Sequence, residues 1–162
     1  LNIMLDCERV FAAQWTYFQG GEFSFSRINE YKNLSPDFCP PGKTGLSIEF
    51  NCDVGDRLWS MPDGELFDLA VRELDQPVGR RRDIGGIVRA RHRGYFSARF
   101  AHAYPLMETG TAAHLERALA FLSGFPRLRS IGRQGRFRYM NGDECFGEAA
   151  AAAAELKREV KR

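Results

Sequence analysis

The spacing of apolar residues changes along this chain, and that change constrains the fold more than any other feature. Within Thr44 to Cys52, Leu46, Ile48 and Phe50 alternate with Ser47, Glu49 and Asn51, the two-residue period of a half-buried strand. Asn2 to Leu5 and Trp15 to Phe18 read as two further strands. Asn33 to Gly42, which holds Pro36, Pro40 and Pro41, reads as a loop, because proline fixes φ and removes a donor. From Ser60 onward the spacing becomes three and four. Ser60, Pro62 and Asp63 open a helix with an apolar face of Leu66, Leu69, Ala70 and Leu74, which Gln76-Pro77 ends. Thr111 is the expected N-cap of a second helix, carrying Leu115, Ala118, Leu119 and Leu122 and stopped by Gly124 and Pro126. Asn141 to Glu144 caps a third, with Phe146, Ala149, Ala153, Leu156 and Val160 as its buried face and Lys157, Arg158, Lys161 and Arg162 at its negative pole. Ile87 to Ala103 alternates and reads as a long hairpin or bent strand. Strands first and helices afterwards predict an α+β fold with a mixed or antiparallel sheet.

Composition narrows the partners. The 162 residues are 44% hydrophobic and carry 23 basic against 21 acidic side chains, a net charge of +2. That field is too weak to imply a polyanion partner, so no nucleic acid is expected. Arg80 to Arg82, with Arg89, Arg91 and Arg93, read as a solvated turn. No run of about 18 apolar residues exists, so no membrane span is expected. The opening residues carry Asp6, Glu8 and Arg9 and do not read as a signal peptide. Cys7, Cys39, Cys52 and Cys145 are widely spaced, which suits thiols in a reducing compartment, the cytoplasm. Leu1 lies directly inside a strand-like stretch, so the expectation is a piece of something longer.

Most motif-like segments carry little chemistry. Gly42-Lys43-Thr44 ends like a phosphate loop, but Asp37 stands where that loop needs glycine, so a turn with a solvated lysine is the reading. His92, His102 and His114 lack metal-ligand spacing, no metal is expected, and no catalytic residue is assigned. The informative segment is Arg127 to Asp143, with five arginines and no acid before Asp143. A short strand ending at Gly132, a loop through Gly135 and a capped helix opening near Gly142 would aim free N–H groups at an anion. Glycines at 132 and 142 would admit a flat ring or phosphate close to the main chain. An ordinary strand-to-helix connection with solvated arginines is the alternative.

Ile131-Gly132-Arg133, Arg138-Tyr139, Asn141 and Asp143 together resemble the C-terminal flavin motif of protoporphyrinogen oxidase-like and amine oxidase-like FAD proteins, close to UDP-galactopyranose mutase-like proteins. Asn33-Leu34-Ser35-Pro36, Pro41-Gly42-Lys43-Thr44, Leu58-Trp59 with Met61, and Ala103-Tyr104-Pro105 agree with it. The resemblance spans nearly the whole chain but corresponds to the C-terminal part of such proteins. It implies a substrate-covering region at 1–106. It also implies, at 107–162, a terminal strand and helix that complete a Rossmann-like FAD-binding domain whose N-terminal half is the missing partner. FAD is the implied cofactor, contacted by Gly132, Arg133, Asn141, Gly142 and Asp143. Arg133, Tyr139 and Tyr104 are the implied substrate side, suited to a small anionic substrate or a nucleotide sugar. The implied activity is flavin-mediated oxidoreduction by the full-length parent, with the fragment alone inactive. The alternatives are a sugar-nucleotide isomerase using reduced FAD and a flavin-free binding or structural module. Relative to the family pattern, Gly142 replaces an expected methionine and Glu144 an expected histidine.

Overall fold

Ile3, Leu5, Ile28, Leu46 and Ile48 are buried while their chain neighbours remain partly open, so a two-residue period puts all five on one side of a sheet. The computed structural model describes residues 1–19, 21–76 and 83–160. Five strands, β1 (Asn2–Leu5), β2 (Trp15–Tyr17), β3 (Arg27–Glu30), β4 (Thr44–Glu49) and β5 (His92–Phe96), pair antiparallel in the order β2-β3-β4-β1-β5. The strands expected at the start of the chain, near Trp15 and at Thr44 are present, and β3 is an addition. Arg80 to Arg82 and Pro77 lie outside the described residues.

Against the buried side of the sheet pack α1 (Arg57–Ser60), α2 (Asp63–Glu73) and α3 (Ile84–Arg91). Asp63 and Glu65 occupy the first turn of α2 and Arg72 its last, complementing the helix dipole. Leu66, Phe67, Ala70 and Val71 form its buried stripe, with Leu74 just beyond. Each fully buried Leu, Ile or Phe side chain contributes about 1.5–3 kcal/mol. The expected extended segment from Ile87 is corrected: the chain is helical to Arg91 and extended only over His92–Phe96. Ile84 and Val88 are buried one turn apart on α3, and that packing overrides the alternation beyond them. The Gly85 amide donates to the Leu74 carbonyl at 3.2 Å. A Cβ on Gly85 would overlap the Val71 carbonyl oxygen, so glycine is what lets α3 approach α2 closely.

Glu30 is buried within this unit and satisfied from several directions. Its carboxylate accepts from the Val10 amide at 2.8 Å, the Phe11 amide at 2.5 Å, Thr44 Oγ1 at 2.8 Å and Asn33 Nδ2 at 3.3 Å. Asn33 Nδ2 also donates to the Phe11 and Ala13 carbonyls at 2.9 Å each. The Gly42 amide donates to Glu8 at 2.9 Å, and Lys43 pairs with Asp6 at 2.5 Å. The segments around Asn33 and Gly42 therefore act as ties between the sheet and its loops.

The chain divides into two compact units, Leu1–Ala101 and His102–Arg162. The second contains α4 (Thr111–Ser123), α5 (Gly132–Gly135) and α6 (Gly142–Val160). Gly110, with φ of 92°, is the N-cap of α4 rather than Thr111; Thr111 Oγ1 instead accepts from the Glu108 amide at 2.9 Å. No strand occurs among the described residues of this unit, which corrects the expected strand ending at Gly132. A strand needs a partner backbone to satisfy its N–H and C=O groups, and here the segment turns into α5 at a glycine with φ of 75°. The expected buried face of α6 is also corrected: Phe146 is 81% exposed, whereas Ala152 is buried and Cys145, Glu148 and Leu156 are half-buried. No described helix is long and apolar enough to cross a membrane.

Candidate functional site

The turn from α5 into α6 is braced by its own side chains. Arg133 Nε donates to the Met140 carbonyl at 2.9 Å and Arg133 Nη2 donates to the same oxygen, fixing the start of the turn to its end. The guanidinium carbon lies 4.8 Å from the Tyr139 ring centre and 5.1 Å from that of Tyr104, within cation–π range. The two rings are parallel to within 7°, with centres 6.2 Å apart. Tyr139 is 67% exposed and Tyr104 55%. The structure thus gathers the three expected substrate-side residues into one cluster. Two of the five Arg133 N–H donors are already occupied, leaving its stacked plane, both Nη1 hydrogens and one on Nη2.

Glu148 joins this turn to α6, and the sequence reading passed over it. Its carboxylate accepts from the Gly132 amide at 2.8 Å and faces Arg136 Nε and Arg138 Nη2 at 3.5 Å each. The Gly132 hydrogen bond, followed by the two guanidinium charges, holds the Glu148 carboxyl below the usual glutamate range. The signal lay in its isolation: Glu148 is followed on α6 by six alanines before Glu155. Gly132 therefore keeps its left-handed conformation, but its amide faces an internal carboxylate.

At the start of α6, the Asn141 amide donates to Glu144 Oε2 at 2.7 Å, the reach-back half of a capping box. The Asn141 carbonyl accepts from the Cys145 amide at 3.1 Å. Among the described residues the Gly142 and Asp143 amides find no acceptor, and a Cβ on Gly142 would meet nothing within 4 Å. This pair of open donors at the positive end of a helix is where a planar anionic edge would fit. Gly132 and Asn141 do not offer their amides in the same way.

An open groove of about 580 Å³ runs along α4 and α6, between Leu119, Leu122, Ile131, Ala152 and the Arg129 side chain. Arg129 is held by Glu159 and, at 3.4 Å, by Glu155. No three-residue cluster of metal-binding side chains occurs among the described residues. His92 Nδ1 lies 2.9 Å from the Arg89 carbonyl and its ring packs 4.8 Å from Phe67, a structural placement. Arg89 pairs with Asp75 and Arg93 with Asp6.

No family model matches the chain, and no curated protein matches it in sequence. The fold is similar to that in the crystal structure of reduced UDP-galactopyranose mutase, with a TM-score of 0.68 and 19% identity. The match covers 96% of this chain and 32% of the other. The chain therefore spans under a third of that protein's length, and the likeness is one of fold.

Proposed function

We propose that the chain is the C-terminal part of a flavin-dependent enzyme, with residues 1–106 covering the substrate and 107–162 completing the FAD-binding domain. The observation that carries this reading is the pair of open amides at Gly142 and Asp143, on a turn that resembles a flavin motif; the fold likeness to UDP-galactopyranose mutase supports it. When bound, a flavin supplies the electron or hydride transfer that no side chain of this cluster can perform. The α6 N-terminus would hold negative charge on the flavin's pyrimidine edge, a helix-end interaction of about 0.3–2 kcal/mol. The Asp143 carboxylate points to solvent in this reading and only its amide serves the cofactor. Gly132 shapes the turn, Asn141 sets the cap, and Arg133 locks the turn to Met140 while presenting Tyr104 and Tyr139 to the substrate.

Oxidoreduction on a small substrate is the leading activity. The fold likeness favours a second, a redox-neutral rearrangement of a nucleotide sugar. The two separate on the intact parent protein carrying bound flavin. Net bleaching of flavin absorbance by substrate, reversed by an electron acceptor, supports oxidoreduction; turnover of a nucleotide sugar only after prior reduction, with no net consumption of reductant, supports the isomerase. A parent that purifies without flavin and does not take it up overturns both. The chain alone is expected to bind FAD weakly, because the partner half would supply the pyrophosphate and adenosine contacts; micromolar or tighter binding by the chain contradicts that division of labour.

A further inference from the structure

An asparagine followed by glycine can be attacked by its own backbone, because glycine has no Cβ to screen its nitrogen. Of the five asparagines, Asn2, Asn29, Asn33 and Asn51 precede isoleucine, glutamate, leucine and cysteine, and Asn141 precedes Gly142. Two of the first four are also tethered. Asn29 Nδ2 donates to Glu49 Oε1 at 2.8 Å, and Asn33 Nδ2 donates to the Phe11 and Ala13 carbonyls at 2.9 Å each.

Asn141 is held by its main chain and not by its side chain. Its amide donates to Glu144 and its carbonyl accepts from Cys145, while the side chain is exposed and makes no hydrogen bond among the described residues. An N-cap side chain usually accepts from the second or third helical amide, and here that contact is missing. The Gly142 amide is likewise without an acceptor, and the space beside its Cα is open to at least 4 Å. Electrophile and nucleophile therefore sit free on adjacent residues, in the first turn of a 19-residue helix, the part of a helix that frays. Asp63-Gly64, a similar pair at the start of α2, shows the opposite arrangement. The Asp63 carboxylate accepts from the Ser97 amide at 3.0 Å and from Ser97 Oγ, and faces Arg99 at 3.6 Å, so it is not free to turn onto Gly64.

We propose that Asn141 is a site of spontaneous deamidation. The Gly142 nitrogen loses its proton to solvent, bonds to Asn141 Cγ and displaces the side-chain nitrogen, which takes up a proton and leaves as ammonia. The product is a cyclic imide. Water then adds to one of its two carbonyls: breaking the new bond to Cγ leaves aspartate, and breaking the original main-chain bond leaves isoaspartate. The sum is asparagine and water to a carboxylic acid and ammonia, with nothing oxidised or reduced. Where aspartate forms, its charge stands at the positive end of α6, and its oxygens can accept from the open Asp143 amide as an N-cap aspartate does. The inference concerns the chain's own covalent chemistry and is independent of the flavin reading.

The test incubates the folded chain in mildly alkaline buffer beside a free peptide spanning Arg138 to Glu148, and follows both by peptide mass mapping and by isoaspartate-specific methyl labelling. The expected result is conversion at residue 141 ahead of Asn2, Asn29, Asn33 and Asn51, with isoaspartate and aspartate both formed. Gly142→Ala, whose added Cβ screens the nitrogen but meets no other part of the chain, should slow the conversion at least tenfold while leaving the fold intact. An Asn141 that stays whole in the chain through several half-lives of the peptide overturns the proposal. So does earlier conversion at another asparagine, an unchanged rate in Gly142→Ala, or aspartate formed without isoaspartate, which would mark direct hydrolysis in place of backbone attack.

Discussion

At the scale of single residues, the strongest ties are carboxylates receiving donors from separate segments. Glu30→Ala would strip acceptors from the Val10 and Phe11 amides and from Thr44. Because leaving one buried donor unpaired costs about 1–3 kcal/mol, the expected loss is about 3 kcal/mol or more, read from the urea midpoint at unchanged slope. Arg133→Ala should cost about 1–3 kcal/mol by releasing the Met140 carbonyl. Arg133→Lys should not restore it, since an ammonium lacks the flat fork that bonds one carbonyl while stacking on two rings. Glu148 sets a pH dependence. Its carboxyl lies below the ordinary glutamate value, chiefly through the Gly132 amide. Its contribution is therefore complete above the unfolded value of about 4.3 and is lost as pH falls through the lower folded value. The stability gap between the native chain and Glu148→Gln should accordingly narrow from about pH 7 to about pH 3; a constant gap would remove Glu148 from that role.

At the scale of elements, α3 shows how packing overrides local pattern. Gly85 is required by the approach of α3 to α2, so Gly85→Ala should destabilise by about 1–3 kcal/mol, as overpacking does. Gly142→Ala, whose Cβ meets open space, should be near neutral in the same unfolding measurement. The contrast explains what could be read from sequence. β4 was legible because alternation is the direct mark of a sheet with one buried side, and β1 and β2 because short apolar and aromatic runs between turns favour strands. β3 was not, because its inward positions are Ile28 and Glu30, and a buried carboxylate looks like a surface residue until its donors, which come from distant segments, are known. The alternation after Ile87 concealed a helix because Ile84 and Val88 take their partners from α2. The existence of α6 was plain, yet its phase was not: a run of alanines has no preferred face, and the Glu148 contact to Gly132 turned Phe146 outward. Arg133, Tyr104 and Tyr139 were named one by one from resemblance, and their stacking on one another was not legible; nor was the commitment of Gly132 to an internal carboxylate, which depended on a side chain a full segment away.

At the scale of the whole molecule, the apolar core is concentrated in Leu1–Ala101, whereas Met140 and Ala152 are the buried apolar residues described in His102–Arg162. Phe121, Phe125, Leu128 and Phe146 are exposed in the second unit, which is what the proposal that this unit completes a larger domain expects. Sparse apolar burial lowers the free energy of local opening. Amides of α4 and α6 should therefore exchange with solvent well before those of β4, and equal protection across the chain would contradict this account of its core. The central claim is that the opening turn of α6 is one side of a flavin cradle, and it is tested most directly by amide resonances of the isotope-labelled chain during titration with FAD to millimolar concentration. The account predicts shifts that grow with FAD and centre on Gly142 and Asp143; shifts absent there, or centred on Arg136 and Arg138 and reproduced by inorganic phosphate, would contradict it.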